Sequence, residues 1–190
     1  MPFMRNTSVI VSGLPRAGTS MLMRMLAAGG MPLLTGEHRT ADADNPHGYF
    51  EYAPVKRLRD DASWLPEARG KAVKVISFLL PHLPPDEDYR LIYLRRAIPE
   101  VVASQRIMLE RQGIDPGDDP RTAALLEKHV RHMEAWIPAQ GHFACLMLEH
   151  RAVIEKPQHA AAVINDFLGR GLDVASMTAA VDPALHRNHY

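Results

Sequence analysis

An α/β fold, a three-layer sandwich with a central parallel sheet, is what this sequence predicts, as a single domain over residues 1–190. Two observations carry that expectation. Short apolar, β-branched runs alternate with stretches of helical period, which requires right-handed crossovers and parallel strands covered on both faces. The first such unit, Ser8-Val9-Ile10-Val11-Ser12-Gly13, runs through a glycine loop into a helix opening at Thr19. The length of 190 residues suits one such domain with a full core. Lys plus Arg and Asp plus Glu both number 22, so no global field draws the chain to nucleic acid or to an anionic membrane. Cys145 is the single cysteine, which excludes an internal disulfide and fits a reducing compartment. No leader-like opening and no apolar run of about 18 residues is present, so a soluble, cytoplasmic protein without a membrane partner is expected.

The elements follow in order. The helix from Thr19 ends at Gly29-Gly30, where the left-handed cap conformation costs little. Residues 31–50 lack a period and are rich in Pro, Gly, Asp and His, so they predict a long functional loop. A short helix is expected over 53–61, with Pro54 in its first turn and Trp64-Leu65-Pro66 ending it. Ala72–Ile76 is the second strand and Arg90–Leu94 the third, separated by a loop marked by Pro81, Pro84 and Pro85. Pro99-Glu100 opens a helix to about Gln112, with Pro in the first turn and Glu near the positive end. An acidic Gly/Pro turn over 113–120 precedes an amphipathic helix over 121–136. Phe143–Leu148 is the fourth strand, Pro157–Leu168 a helix ended by Gly169, and Asp173–Val181 a last short helix.

The chemistry concentrates in the first unit. A strand, a glycine loop and a helix N-terminus aim free backbone N–H groups and the positive end of the helix dipole at one spot, where a phosphate can sit. The spacing Gly13…Gly18-Thr19-Ser20 fits the Walker A frame, with Thr19 where the lysine belongs and a positive charge three residues earlier on Arg16. The expected fold is therefore a P-loop NTPase-like three-layer sandwich.

Pro15-Arg16-Ala17-Gly18-Thr19-Ser20 resembles the 5′-phosphosulfate loop of the sulfotransferases that use 3′-phosphoadenosine 5′-phosphosulfate (PAPS). Arg96, ending a strand eight residues before Ser104, resembles the 3′-phosphate motif of the same family. A guanidinium fork and a hydroxyl are suitable donors to a dianionic phosphate. Val73-Lys74 with Leu83-Pro84-Pro85, and Leu148-Glu149-His150-Arg151 through Phe167-Leu168-Gly169, are similar to further stretches of the family, with His150 at a usual tyrosine position. The pattern as a whole is similar to small bacterial sulfotransferase-like proteins.

The resemblance implies sulfuryl transfer from PAPS to a hydroxyl or amine on a small-molecule or glycan acceptor, without a metal. It implies donor binding by Pro15, Arg16, Ala17, Gly18, Thr19, Ser20, Arg96, Ser104 and His150. Arg16 and Lys74 would act on the reacting groups, the first stabilising charge on the leaving phosphate and the second meeting the sulfuryl oxygens or the leaving group. The family's catalytic histidine falls on Ile76, its Trp after the loop on Met21, and its C-terminal closing loop is missing, with Arg170 and Arg187 the remaining candidates. A base must then come from elsewhere, and Glu51 is the first candidate, ahead of Glu37 and His47. Two rival functions are a P-loop kinase, with Leu146-Met147-Leu148-Glu149 read as a Walker B strand, and a non-catalytic nucleotide-binding relative. His129 and His132 on one helix suggest either a metal or, far more simply, a solvated face. A homodimer is an assembly open to the chain.

Overall fold

The computed structural model describes residues 7–36, 50–117 and 120–182. Glu37, His47 and Arg187, three of the sequence candidates, lie outside the described residues. The strands are β1 Ser8–Gly13, β2 Ala72–Lys74, β3 Tyr89–Arg95 and β4 Phe143–Glu149. All are parallel, in the spatial order β2-β1-β3-β4. The helices are α1 Thr19–Ala28, α2 Leu65–Ala68, α3 Ile98–Arg111, α4 Arg121–Trp136, α5 His150–Glu155, α6 Pro157–Leu168 and α7 Val174–Ala179. Tighter 3₁₀ turns occupy Ala53–Arg57, Ser77–His82 and Ile137–Ala139.

The period-two alternation of β1 divides the core. Val9 and Val11 face Leu22, Met23, Met25 and Leu26 of α1, with Ile164 of α6 and Met177 of α7 behind them. Ile10 faces the other way, into a cluster with Val73, Leu91, Tyr93, Trp64, Leu80 and Met133. Every residue of β1 is buried because both faces are covered, and the strand's centre, Val9-Ile10-Val11, is correspondingly an unbroken apolar run. Each fully buried Leu or Met contributes about 1.5–3 kcal/mol by leaving water, so α1 is held by its inner stripe rather than by propensity.

Three local expectations change. Trp64-Leu65-Pro66 begins a helix instead of ending one, because Pro66 stands in the first turn of α2, where its missing N–H is harmless. Pro81 lies within a 3₁₀ turn over Ser77–His82 instead of an open loop. The stretch after β4 forms α5, a short helix that an apolar period over six residues cannot announce. Among the described residues, no helix is long and apolar enough to cross a membrane.

The strand order places the site. The chain leaves β1 for the β2 edge and returns on the far side of β1 to form β3, so the order reverses beside β1. Loops leaving the carboxyl ends of β1 and β3 diverge there and open a crevice. The register puts Gly13, Leu94 and Leu148 in one row at that end of the sheet.

Candidate functional site

Gly13 ends β1 hard against β3: a Cβ there would lie 2.5 Å from the carbonyl oxygen of Leu94. The chain then turns sharply, with the Ala17 N–H donating to the Leu14 carbonyl at 3.0 Å. Arg16 is left-handed at φ 70°, and Gly18 at φ 97° caps α1. No side chain caps α1 and no acidic residue stands in its first turn, so its positive end is uncompensated within the helix. Thr19 and Ser20 open that turn.

Arg16 pays for its backbone conformation through its neighbours. Its Nε–H donates to the Ser104 Oγ of α3 at 3.0 Å, and its carbonyl accepts from Arg96 Nη1 at 3.0 Å. Arg96 Nε–H in turn donates to Glu100 Oε2 at 2.8 Å, in a pair whose side chains are 8% and 13% exposed. A left-handed non-glycine residue costs about 1–3 kcal/mol, and such strain persists where surrounding contacts over-determine it. Arg96 is that contact: a largely buried cation, fixed by Glu100, that clamps the loop.

A cleft of about 440 Å³ opens beyond the exits of β3 and β4, lined by Arg95, Arg96, Glu100, Glu149, His150 and Arg151 among others. Its charges are matched. Arg95 donates to Glu134 of α4 at 2.8 Å and also pairs with Glu149, and its hydrogen bond to Glu134 is the main cause holding its guanidinium above its ordinary pKa. Arg151 pairs with Glu155 at 2.7 Å. His150 is buried and lies against the phosphate loop, since a Cβ on Gly18 would come within 2.5 Å of its Cδ2.

The structure thus brings Pro15–Ser20, Arg96, Ser104 and His150 into one corner. Lys74 ends β2 opposite Val11, one strand from that corner. Glu51 stands apart in its described contacts: its carboxylate pairs with Lys56 at 3.3 Å while 32% exposed, and its carbonyl accepts from Gly36 N.

Sequence reasoning named His129 but not the Ser77 and Phe78 it meets. His129 of α4 has its Nε2 2.9 Å from Ser77 Oγ and stacks on Phe78 with centroids 3.9 Å apart and planes 19° from parallel. Ser77 is fully buried, and burial pushes the adjacent Tyr93 phenol up to about 12. Burial, then the neighbouring His132, lower the pKa of His129. Of the two histidines on this helix, His132 is exposed and His129 is half-buried. Its partner lies 52 residues away, so no local spacing could have found the pair. Glu100 was legible in principle, four residues after Arg96 at a helix entrance.

No family model and no curated protein matches this chain. Solved structures do. The sulfotransferase from Alicyclobacillus acidocaldarius matches with a TM-score of 0.53 at 15% identity, over 98% of this chain and 98% of that one. A sulfotransferase domain from the Synechococcus PCC 7002 olefin synthase matches with a TM-score of 0.53 at 19% identity, over 97% and 88%. One from the curacin biosynthetic pathway reaches 0.49 at 14% identity, over 89% and 74%. At such identities the likeness is one of fold: an α/β sulfotransferase-type fold with a parallel sheet. The expected P-loop NTPase-like sandwich is corrected accordingly, because the matching structures are sulfotransferases. The physical reason lies in the loop. Glycine spacing and a helix N-terminus are common to any phosphate cradle, whereas here Thr19 replaces the Walker lysine and Arg16 turns instead toward α3.

Proposed function

We propose that this chain is a PAPS-dependent sulfotransferase acting on a hydroxyl or amine of a small-molecule or glycan acceptor. The observation that carries the reading is the bond from Arg16 to Ser104. It ties the anion-attracting end of α1 to a second donor group on α3 through a single guanidinium, as a ligand with two separated phosphates requires. The sulfotransferase-type fold supports it independently.

The residues fit such a co-substrate. The 5′-phosphosulfate would sit on the N–H groups of Gly18, Thr19 and Ser20, with the Thr19 and Ser20 hydroxyls as further donors. The 3′-phosphate would take Ser104 and Arg16, with Arg96 supplying its remaining donors while Glu100 holds it in place. His150, against Gly18, borders the nucleoside. As the acceptor atom bonds to sulfur, the bond from sulfur to the bridging oxygen breaks and its electron pair stays on the 5′-phosphate. The loop N–H groups at the α1 N-terminus would meet that growing charge, with Arg16 adding longer-range positive potential from its place beside Ser104, and Lys74 is the candidate for the sulfuryl oxygens.

Calorimetry with adenosine 3′,5′-bisphosphate in EDTA tests the reading. Binding without a metal is expected. Absence of heat, together with magnesium-dependent binding of ATP, would overturn it.

A further inference from the structure

We propose that His129 is the base that takes the acceptor's proton, and that Phe78 and Leu125 beside it select an alcohol with an apolar body. This rests on the sulfuryl-transfer reading above. That reading needs a proton acceptor, and Ile76 and the Lys56-paired Glu51 leave the role open.

Two elements bring His129 to the transfer site. Val75 N donates to the Val11 carbonyl at 3.0 Å, so the exit of β2, and Ser77 two residues on, lies beside the exit of β1. From the other side, Leu126 and Val130 of α4 pack against the cluster of Leu14, Ala17 and Val101, which includes the phosphate loop itself. His129 occupies the turn of α4 between those contacts.

Its ring is held as a base's ring must be. Ser77 Oγ fixes Nε2, and the Phe78 ring fixes the imidazole plane. In the tautomer whose Nε2–H donates to Ser77, the lone pair is on Nδ1. Of the titratable groups beside this pair, Tyr93 on β3 stays neutral and His132 on α4 opposes a second positive charge, so burial and His132 both favour the neutral imidazole. A neutral ring at ordinary pH is the form able to accept a proton.

The surroundings describe the substrate. Phe78 is 44% exposed and Leu125, one helical turn from His129 on the same face, is 62% exposed. These two exposed apolar side chains beside a half-buried imidazole offer contact area to an apolar acceptor body. In the step, the alcohol oxygen bonds to sulfur as its proton passes to Nδ1. The bond between sulfur and the bridging oxygen of PAPS breaks, leaving a sulfate ester, adenosine 3′,5′-bisphosphate and a protonated His129.

The test compares two acceptors with PAPS at about pH 8: benzyl alcohol, which must lose its proton during transfer, and para-nitrophenol, whose pKa of about 7 leaves it largely ionised there. His129→Gln keeps an amide near the Nε2 position and should melt like the wild type. It should lower benzyl alcohol turnover by about a hundredfold or more while changing para-nitrophenol turnover by less than about tenfold. Ser77→Ala, which loosens the ring without removing it, should give the same preference at smaller size. Equal losses on both acceptors, or none, in whichever of the two variants folds, would overturn the proposal. So would a wild type that binds the bisphosphate and sulfates neither compound. A wild type that fails to bind the bisphosphate sinks the sulfuryl-transfer reading instead.

Discussion

At the exits of β1 and β3, Arg16, Arg96 and Arg95 bond Ser104, Glu100 and Glu134 at 3.0, 2.8 and 2.8 Å. At the exit of β2, His129 is held by one neutral hydroxyl and one phenyl ring. The first corner keeps permanent charges in place, each stabilised by a partner, and its pKa shift at Arg95 strengthens an already charged state. The second removes solvent and charge from a group whose ordinary pKa is 6.5, and lowers it further. A corner that holds anions needs fixed cations. A corner that moves a proton needs a group that can be neutral, and burial without an ion partner supplies it.

The largest effect that would break this contrast is expected at Arg96. Arg96→Ala removes the Arg96–Glu100 ion pair and the donor to the Arg16 carbonyl, so stability should fall by about 3 kcal/mol. Urea denaturation measures it, and bisphosphate affinity should fall with it because the loop is unclamped. Loss of affinity with unchanged stability would mean that Arg96 meets the ligand without supporting the loop.

Gly18→Ala comes next. A side chain there adopts φ 97° and collides with His150, so about 1–3 kcal/mol of strain is expected. For a chain of this size that lowers the melting temperature by several degrees, at roughly 2–4 °C per kcal/mol. Bisphosphate and AMP should weaken together, since both use the loop.

Ser104→Ala should separate the ligands. Losing a hydrogen bond to a charged phosphate costs about 1.5–3 kcal/mol, or roughly ten- to a hundredfold in bisphosphate affinity, while AMP binding stays nearly constant. Parallel losses in calorimetry would remove Ser104 from the 3′-phosphate.

The smallest effect is expected at Glu51. Its pair with the exposed Lys56 is worth about 0–1 kcal/mol, so Glu51→Gln should melt within a few degrees of the wild type and turn over benzyl alcohol normally. A hundredfold loss of turnover there would move the base from His129 to Glu51.

The sequence by itself determined the elements whose signals are local. β1, α1 and the phosphate loop are legible because a continuous apolar run, two glycines and a helical stripe fall within about twenty consecutive residues. α4 and α6 are legible by period, and parallel pairing by the alternation of strands and helices. Arg16, Arg96 and Ser104 were legible as candidates through short motifs. That Arg96 clamps the Arg16 carbonyl through a link of 80 positions was not legible. Nor was the choice between a Walker-type nucleotide fold and the sulfotransferase-type fold, because glycine spacing and a helix N-terminus serve both. Ser77 and His129 meet only after β2 has paired with β1 and α4 has packed against the cluster of Leu14, Ala17 and Val101. A hydroxyl and an imidazole 52 residues apart carry no shared period, so only the tertiary structure could make them a pair.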